Sequence, residues 1–374
     1  MVQERMRYVV QAEAGSRPLG ELAATFGVHR STGWRWRRRI ERIDQIEAFR
    51  DRPRRPVRSP RRTDQAITDR ILELRQQHGW GALKIRVLLQ QEKVEVSVAT
   101  INRILKRQGA QEREDPIRPA RHRFQREAPN ELWQLDFKGM PQATVERFGM
   151  TYPLSMLDDH SRYAIGLWGL GSSDAEETWP CLVRAFEKYG VPDGMLMDHG
   201  APWWSTSNGH GLTRISVGLM KQGIRLYFSG IRHPQTQGKV ERFHRTMQER
   251  LNGWRESFPG WQQWLDEFRQ EYNEVRPHQA LGMATPAQYY KPSGRAYNPH
   301  PAEGDYGGEA MVRRLNSKGC IKWGGDRYHV CEALAHEYVC AETLGNRVWV
   351  RYQNTYIREI DLSTGRTRSI LLSE

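Results

Sequence analysis

Apolar residues in the middle of the chain recur with two different spacings, one typical of helices and one typical of strands. One set follows at steps of three and four residues, which is one face of a helix that begins after Gly238. Its members are Val240, Phe243, Met247, Leu251 and Trp254. Elsewhere, alternation or short apolar runs indicate strands. We predict strands near 131–138, 151–157, 163–169, 194–198 and 224–228, and further helices at 174–189, 213–222 and 261–274.

The polar positions of these elements include three acids. Alternation in the first strand places Asp136 and Lys138 together on its polar face. Asp198 follows a short apolar run, and open α/β sheets carry their sites just beyond the carboxyl ends of such strands. At about 100° per residue, Glu241 lies on a polar stripe beside the apolar helix face, so we expect it to be exposed. A weak surface pair with Arg245 is the alternative interpretation of Glu241.

The pattern near the amino end predicts a helix-turn-helix within residues 19–40. A first helix carrying Leu22 and Ala23 is followed by a tight turn at Gly27 and a second helix that opens near Ser31 or Thr32. The second helix is rich in arginine, as a helix that enters a DNA groove would be. Its candidate DNA contacts are Arg30, Ser31, Thr32, Arg35, Arg37, Arg38 and Arg39. The alternative is a solvated arginine-rich helix whose Trp34 and Trp36 belong to the core.

A second helix-turn-helix-like region is predicted at residues 63–110. Three apolar stripes follow one another there, and Ser97 is placed to cap the third helix, which carries Arg103, Lys106 and Arg107. The segments 53–62 and 111–129 are charged and contain prolines, which is typical of extended linkers. Two such units joined by a flexible arm can read a longer DNA site than either alone.

Short alternating strands separated by turns predict a small antiparallel barrel at residues 308–374. Arg347, Arg351 and Arg358 are candidates there for contact with the DNA backbone, although solvated strand faces explain them as well.

The net charge is distributed unevenly. Residues 1–130 contain 29 Lys and Arg against 16 Asp and Glu, whereas residues 131–374 contain 28 of each. A basic segment of this kind indicates nucleic-acid binding. Membrane-surface binding is disfavoured because no long amphipathic or apolar run accompanies the charge, and no signal peptide is predicted at the start. The four cysteines form no CxxC pair, so we expect reduced thiols in a cytoplasm and no structural zinc.

The three acids and their surroundings resemble the D,D,E triad of the retroviral-integrase superfamily and of insertion-sequence transposases within it. Sixty-one residues separate Asp136 from Asp198, and 42 separate Asp198 from Glu241. The segments similar to those of the family are 233–246 around the last acid, 272–286 after it and 155–162 at the second strand turn. Family members often carry Asn directly after the second acid, where this chain has His199, a difference that concerns substrate positioning.

The resemblance covers roughly residues 130–292 and implies a ribonuclease-H-like fold. We therefore expect a multi-domain protein: all-α helix-turn-helix units, an α/β ribonuclease-H-like catalytic core and a small all-β barrel. The expected boundaries are a helix-turn-helix domain at 1–52, a linker at 53–62, a second helix-turn-helix-like domain at 63–110, a linker at 111–129, an integrase-like core at 130–292 and the barrel at 308–374.

The resemblance also implies an activity, a DNA transposase of bacterial cytoplasm that acts with two Mg²⁺ or Mn²⁺ ions. Three converging carboxylates would repel one another without cations, and two divalent ions suit phosphoryl transfer. The expected partners are double-stranded DNA, at the element ends and at the target, and further copies of the chain as a dimer or tetramer. Candidate phosphate contacts in the core are Lys138, Lys239, Arg242 and Arg245. The alternatives are a catalytically silent DNA-binding regulator and a nuclease that cuts without joining.

Overall fold

In the computed structural model the chain forms two compact units, Met1–Asp64 and Gln65–Glu374. Each unit is described by itself. The described residues are 2–15, 17–40, 46–51, 63–110, 125–140, 144–146, 149–205, 211–229, 238–252, 260–304, 306–307 and 311–371. The predicted linkers at 53–62 and 111–129 and the motif residues 233–237 therefore lie wholly or mostly outside the description, as does Trp254. None of the described helices is both long enough and apolar enough to cross a bilayer.

Within its described residues, the first unit contains three α-helices. They are α1 (Val2–Glu13), α2 (Leu19–Thr25) and α3 (Arg30–Ile40), and a short 3₁₀ helix (Ile46–Phe49) follows later in the chain. Gly27 has φ +64°, which allows the tight turn between α2 and α3. Tyr8 is buried at the centre, with its ring 5.5 Å from that of Phe26 and 5.6 Å from that of Trp36. The predicted helix-turn-helix is confirmed, and of the two tryptophans only Trp36 packs against the core, since Trp34 is exposed.

A second helical bundle opens the second unit. It contains α4 (Gln65–His78), α5 (Ala82–Gln91) and α6 (Val98–Arg107), packed around Ile71, Ile85 and Ile101. As predicted, Ser97 caps α6, because its side chain accepts a hydrogen bond from the backbone of Thr100.

A five-stranded mixed sheet follows. Its strands are β1 (Trp133–Phe137), β2 (Tyr152–Asp158), β3 (Ala164–Leu170), β4 (Gly194–Met197) and β7 (Arg225–Phe228), in the order β3-β2-β1-β4-β7. β1, β2 and β3 form an antiparallel meander, and β4 lies parallel to both β1 and β7. The predicted strands are confirmed to within about two residues.

Helices cover both faces of this sheet. Buried residues of α7 (Ala175–Tyr189) and α8 (Arg214–Lys221) share a core with Trp133, Leu135 and Met195 of the sheet. On the other face, α9 (Gly238–Asn252) and α10 (Trp261–Gln270) pack with Leu157 and Leu167. A π-helical turn, Glu271–Val275, and the short α11 (Pro286–Tyr289) follow. Helices also cover the polar face of the sheet, and Gln134 on that face is therefore fully buried. Alternation alone suggested that this face is more exposed to solvent.

The remaining strands form a carboxyl-terminal antiparallel sheet. It contains β8 (Val312–Arg314), β11 (Tyr338–Leu344), β12 (Arg347–Tyr352), β13 (Thr355–Asp361) and β14 (Thr367–Ser369), in the order β14-β13-β12-β11-β8. A hairpin of β9 (Cys320–Trp323) and β10 (Asp326–His329) accompanies it. Within the described residues the sheet is open between β8 and β14, so the predicted closure into a barrel is not observed.

Candidate active site

Strand register brings the first two acids to adjacent positions. β1 and β4 run parallel, with Trp133 opposite Met195 and Gln134 opposite Leu196. Two residues farther along each strand stand Asp136, near the end of β1, and Asp198, directly after β4. Because the strands are parallel, both carboxylates emerge at the same edge of the sheet. Glu241 is exposed in the first turn of α9, which contacts β1 and β2.

The charges of Asp198 and Glu241 both act on the carboxyl group of Asp136. Burial is the main cause that raises the pKa of the Asp136 carboxyl to about 7. The negative charges of Asp198 and Glu241 raise it further, because both disfavour a third charge nearby. Within the described residues, no three or more His, Cys, Asp or Glu side chains are placed so that they could hold a metal ion together.

His244, one turn beyond Glu241, contacts the first acid. Its Nε2 lies 2.8 Å from Ser155 Oγ, and its Nδ1 lies 3.6 Å from Asp136 Oδ2. Burial, reinforced by Lys138, lowers the pKa of His244 to about 3, so the ring is neutral at ordinary pH. Ser155 stands opposite Asp136 in the β1–β2 register. The imidazole therefore lies between the Asp136 carboxylate and Ser155 of the neighbouring strand, a position that its spacing of three residues from Glu241 alone did not indicate.

The turn after β4 is shaped around the second acid. Gly200 N donates to Asp198 Oδ1 at 3.0 Å. A Cβ at position 200 would lie 2.9 Å from one Asp198 carboxylate oxygen and 3.1 Å from the other. His199, the residue that departs from the family pattern, packs its ring 4.6 Å from Trp204 and 5.6 Å from Phe228. The turn thus fixes the Asp198 carboxylate against a backbone amide.

Two tryptophans follow the Asp198 turn, in a segment that the described residues cover as far as Ser205. Trp203 is buried and stacks on Phe137 with ring centroids 5.7 Å apart, so it belongs to the core. Trp204 lies in β5 (Trp204–Ser205), which pairs with β6 (Gly211–Leu212). Residues 206–210 between these two strands lie outside the described residues.

Two further buried acids support the site. The sequence patterns did not indicate this structural role. Asp158 accepts hydrogen bonds from Asn130 N at 2.7 Å and from Ser161 N at 2.7 Å. Asp159, also buried, accepts one from Gln134 Nε2 at 2.7 Å and is ion-paired with Lys239. Lys239, which the sequence suggested as a phosphate contact, is therefore engaged inside the protein.

The other predicted contacts lie on different elements. Lys138 follows β1 and interacts with Asp136, while Arg242 and Arg245 are exposed on α9. Arg103 and Lys106 are exposed on α6. The seven candidates of α3, Arg30, Ser31, Thr32, Arg35, Arg37, Arg38 and Arg39, belong to the first unit.

Some predicted arginines have internal partners. In the first unit Arg37 Nε lies 2.7 Å from Glu13 Oε1, and Arg38 lies over the exposed Trp34 ring at 4.9 Å. In the carboxyl-terminal sheet, Arg358 is buried and donates to Val330 O at 3.1 Å, and Arg347 pairs with Glu359 at 2.7 Å. A contact between the guanidinium of Arg358 and DNA would require its release from this interior position.

Family models match three stretches of the chain. Two models, each described as an integrase core domain, match residues 126–234 and residues 222–286. A homeodomain-like domain model matches residues 32–105. The two core matches together contain β1, β4 and α9, the three elements that carry or precede Asp136, Asp198 and Glu241.

Individual proteins show the same similarity. The chain is 25% identical over 251 residues to an uncharacterized 39.2 kDa protein of insertion element IS476 from Xanthomonas euvesicatoria, covering 63% of this chain and 66% of that protein. It is 26% identical over 133 residues to the transposase for transposon Tn552 from Staphylococcus aureus, covering 32% of this chain and 26% of that protein. The chain thus spans just under two thirds of the first relative and about a quarter of the second.

Among solved structures, the catalytic core domain of BIV integrase aligns with this chain at a TM-score of 0.34 and 22% identity. The alignment covers 43% of this chain and 93% of that domain.

Proposed function

Because the chain belongs to the insertion-sequence transposases of the integrase superfamily, we propose that it catalyses transposition of DNA. It binds the terminal inverted repeats of an insertion element and cleaves a phosphodiester bond at each end. It then joins the freed 3′ ends to target DNA. The observation that supports this proposal most is that the parallel strands β1 and β4 bring Asp136 and Asp198 to one edge of the central sheet, where the charge of Glu241 also acts on Asp136.

The chemistry of these donors fits divalent metal ions. Three carboxylates of which one is largely buried, with its pKa raised to about 7 by burial and by the other two, form a site that a cation would stabilise. Mg²⁺ and Mn²⁺ prefer such oxygen ligands. Asp136 and Asp198 would share the ions and Glu241 would complete the second position. When bound, two such ions supply charge stabilisation to the attacking and leaving oxygens of a phosphoryl transfer.

The protein's own residues orient these donors. The neutral His244 ring lies between Asp136 and Ser155, and the Gly200 amide donates a hydrogen bond to Asp198. Such preorganisation matters because reacting groups must be placed within a fraction of an ångström. Lys138, beside Asp136, and Arg242, beside Glu241, provide positive charge for the phosphates on either side of the scissile bond.

The reaction proceeds in two displacements. In the first, a water oxygen attacks the scissile phosphorus and the bond to the 3′ oxygen breaks, which leaves a 3′ hydroxyl on the element. In the second, that hydroxyl attacks a phosphorus of the target, and a target 3′ oxygen leaves. Both steps need the same charge stabilisation, so one site serves both.

The helical regions supply the DNA recognition in this proposal. Exposed arginines of α3 and the basic end of α6 suit groove and phosphate contact, and the excess positive charge lies in the same part of the chain. We assign DNA recognition to residues 1–52 and 63–110, catalysis to 130–292 and an accessory role to a barrel-like domain at 308–374. We place the protein in the bacterial cytoplasm, on the nucleoid when bound to DNA, as a dimer or tetramer that holds two element ends.

The proposal is tested by cleavage and joining of end-bearing DNA in Mg²⁺ with three variants, Asp136→Asn, Asp198→Asn and Glu241→Gln. Each removes a charge at nearly constant volume, and we expect both reactions to fall by about a thousandfold or more, since each 1.36 kcal/mol of lost stabilisation is tenfold in rate. A double variant should be scarcely worse than a single one, because the three act as a unit.

The matched control is Glu187→Gln, which removes an exposed acid from α7. It should leave both reactions unchanged. Retention of more than about a tenth of the wild-type rate by Glu241→Gln would refute the assignment of this helix, because it corresponds to less than about 1.4 kcal/mol. DNA binding without any cleavage would identify a silent regulator, and cleavage without joining of pre-cut ends would identify a nuclease.

A further inference from the structure

A tryptophan in the α4–α5 turn lies where the second helical bundle contacts the core. Trp80 is buried, and its ring stacks on His78 with centroids 4.3 Å apart. His78 Nδ1 lies 2.7 Å from Glu271 Oε1, and Glu271 Oε2 lies 3.2 Å from Arg250 Nε. Both bundle and core belong to the same compact unit, so these contacts fix the turn on the core.

Two cations from opposite sides of this contact share the Trp80 ring. Lys84 Nζ, from the first turn of α5, lies 5.9 Å from the ring centroid, and Arg276 Cζ, from the core, lies 5.7 Å from it. Arg276 Nη2 also donates to Thr246 Oγ1 at 3.5 Å. Thr246 lies one helical turn beyond Arg242, on the same side of α9. Lys84 and Arg276 therefore lie beside the side of α9 that carries Arg242.

Around the Trp80 ring, the positively charged side chains outnumber the negatively charged ones. Neither Lys84 nor Arg276 forms a salt bridge with any carboxylate among the described residues. The charge of Glu249 acts on both, and that of Glu271, which is paired with His78 and Arg250, acts on Arg276. Burial, Arg276 and Arg242 together lower the pKa of Lys84 to about 7. Burial also lowers the pKa of Arg276. An anion held among these groups would relieve their mutual repulsion.

We propose that Lys84, Arg276 and Arg242 form a binding subsite for a backbone phosphate of duplex DNA, built jointly by the second helical bundle and the catalytic core. This subsite deepens the proposed function and rests on it. In a helix-turn-helix the first helix crosses the DNA backbone while the second enters the groove, and α5 and α6 hold those two positions. Arg242 adjoins Glu241, so a strand held here leads to the carboxylates.

The test is the salt dependence of DNA binding by the full chain, measured by fluorescence anisotropy without divalent metal. Each lost phosphate contact should reduce the magnitude of the slope of log affinity against log salt by about 0.9. We expect this reduction for Lys84→Met and for Arg276→Gln, with element-end DNA and with unrelated duplex alike. Lys84→Met keeps an apolar side chain on Trp80 and removes a poorly solvated charge, so folding should be preserved. Arg276→Lys should restore most of the slope.

Lys188→Gln is the matched control, since Lys188 is an exposed cation on α7, a helix that carries none of the proposed DNA contacts. An unchanged slope in both Lys84→Met and Arg276→Gln, or an equal loss in Lys188→Gln, would overturn the subsite. Because DNA binding is measured without metal, failure of the phosphate subsite can be told apart from failure of the transposase proposal. An inactive wild-type protein whose slope still depends on Lys84 would contradict the transposase proposal alone, and an active one with unchanged slopes would contradict the subsite alone.

Discussion

Lys239 lies two residues before Glu241, and its ammonium group is ion-paired with the buried carboxylate of Asp159. The same carboxylate accepts a hydrogen bond from Gln134 at 2.7 Å, two residues before Asp136. One buried acid in the β2–β3 turn is therefore linked both to β1, which carries Asp136, and to α9, which carries Glu241.

Replacing Lys239 by Met should destabilise the protein by about 3–5 kcal/mol, because it leaves Asp159 buried and without its ion pair. Chemical denaturation measures the loss. A suitable control is Glu73→Gln, which breaks an exposed pair with Arg70 and should cost at most about 1 kcal/mol. If Lys239→Met is as stable as wild type but binds DNA with a shallower salt slope, Lys239 is a phosphate contact, as its sequence context suggested.

Asp136→Asn should stabilise the metal-free protein at pH 7.5. The pKa of Asp136 is raised to about 7 in the folded state, above its ordinary value of 3.8, so the folded protein binds the proton more tightly than the unfolded chain. This contribution is favourable at low pH and is lost as the pH rises through 7. Each pKa unit is about 1.36 kcal/mol, so a gain on the order of 1 kcal/mol or more is expected.

Thermal unfolding with and without Mg²⁺ or Mn²⁺ measures this effect. The wild-type protein should gain stability from the metal by mass action, whereas Asp136→Asn should gain little. Asp266→Asn, at an exposed position on α10, serves as the control and should change neither result. A loss of stability in metal-free Asp136→Asn at pH 7.5 would mean that neither burial nor the two neighbouring acids disfavours the Asp136 charge.

The predictability of the site differs between its parts. Asp136 and Asp198 could be placed because strand patterns locate strand ends, and parallel strands bring such ends together. The burial of Gln134 could not be predicted, because alternation separates two faces without telling which is covered. The scaffold role of Asp159 was equally hidden, since Lys239 lies 80 positions away in sequence. Helix periodicity predicted the exposure of Glu241 but not the position of His244 between Ser155 and Asp136.

Gly200→Ala should impair catalysis while leaving the fold nearly intact. The new Cβ would lie 2.9 Å from an Asp198 carboxylate oxygen, which is too close, so the carboxylate has to move. We expect cleavage to slow at least tenfold, which is about 1.4 kcal/mol in the barrier. Gly294→Ala is the control, because nothing lies within 4 Å of its added Cβ. Equal rates for both variants would show that the carboxylate position set by Gly200 is unimportant.

DNA binding should be accompanied by proton uptake at Lys84. The charged groups that act on its ammonium are Arg276, Arg242 and Glu249, and two of these three are positive. With a pKa near 7, Lys84 is largely neutral at pH 8 in the free protein. A bound phosphate would favour the charged form and raise the pKa, so each complex should take up a substantial fraction of a proton at that pH.

Calorimetric titration at pH 8 in buffers of different ionisation enthalpy measures this uptake. Wild-type protein and Lys188→Gln should show it, whereas Lys84→Met should show markedly less. The uptake should also shrink at pH 6, where Lys84 is already protonated before DNA binds. Identical uptake by wild type and Lys84→Met at pH 8 would show that the proton binds elsewhere and that no phosphate approaches Lys84.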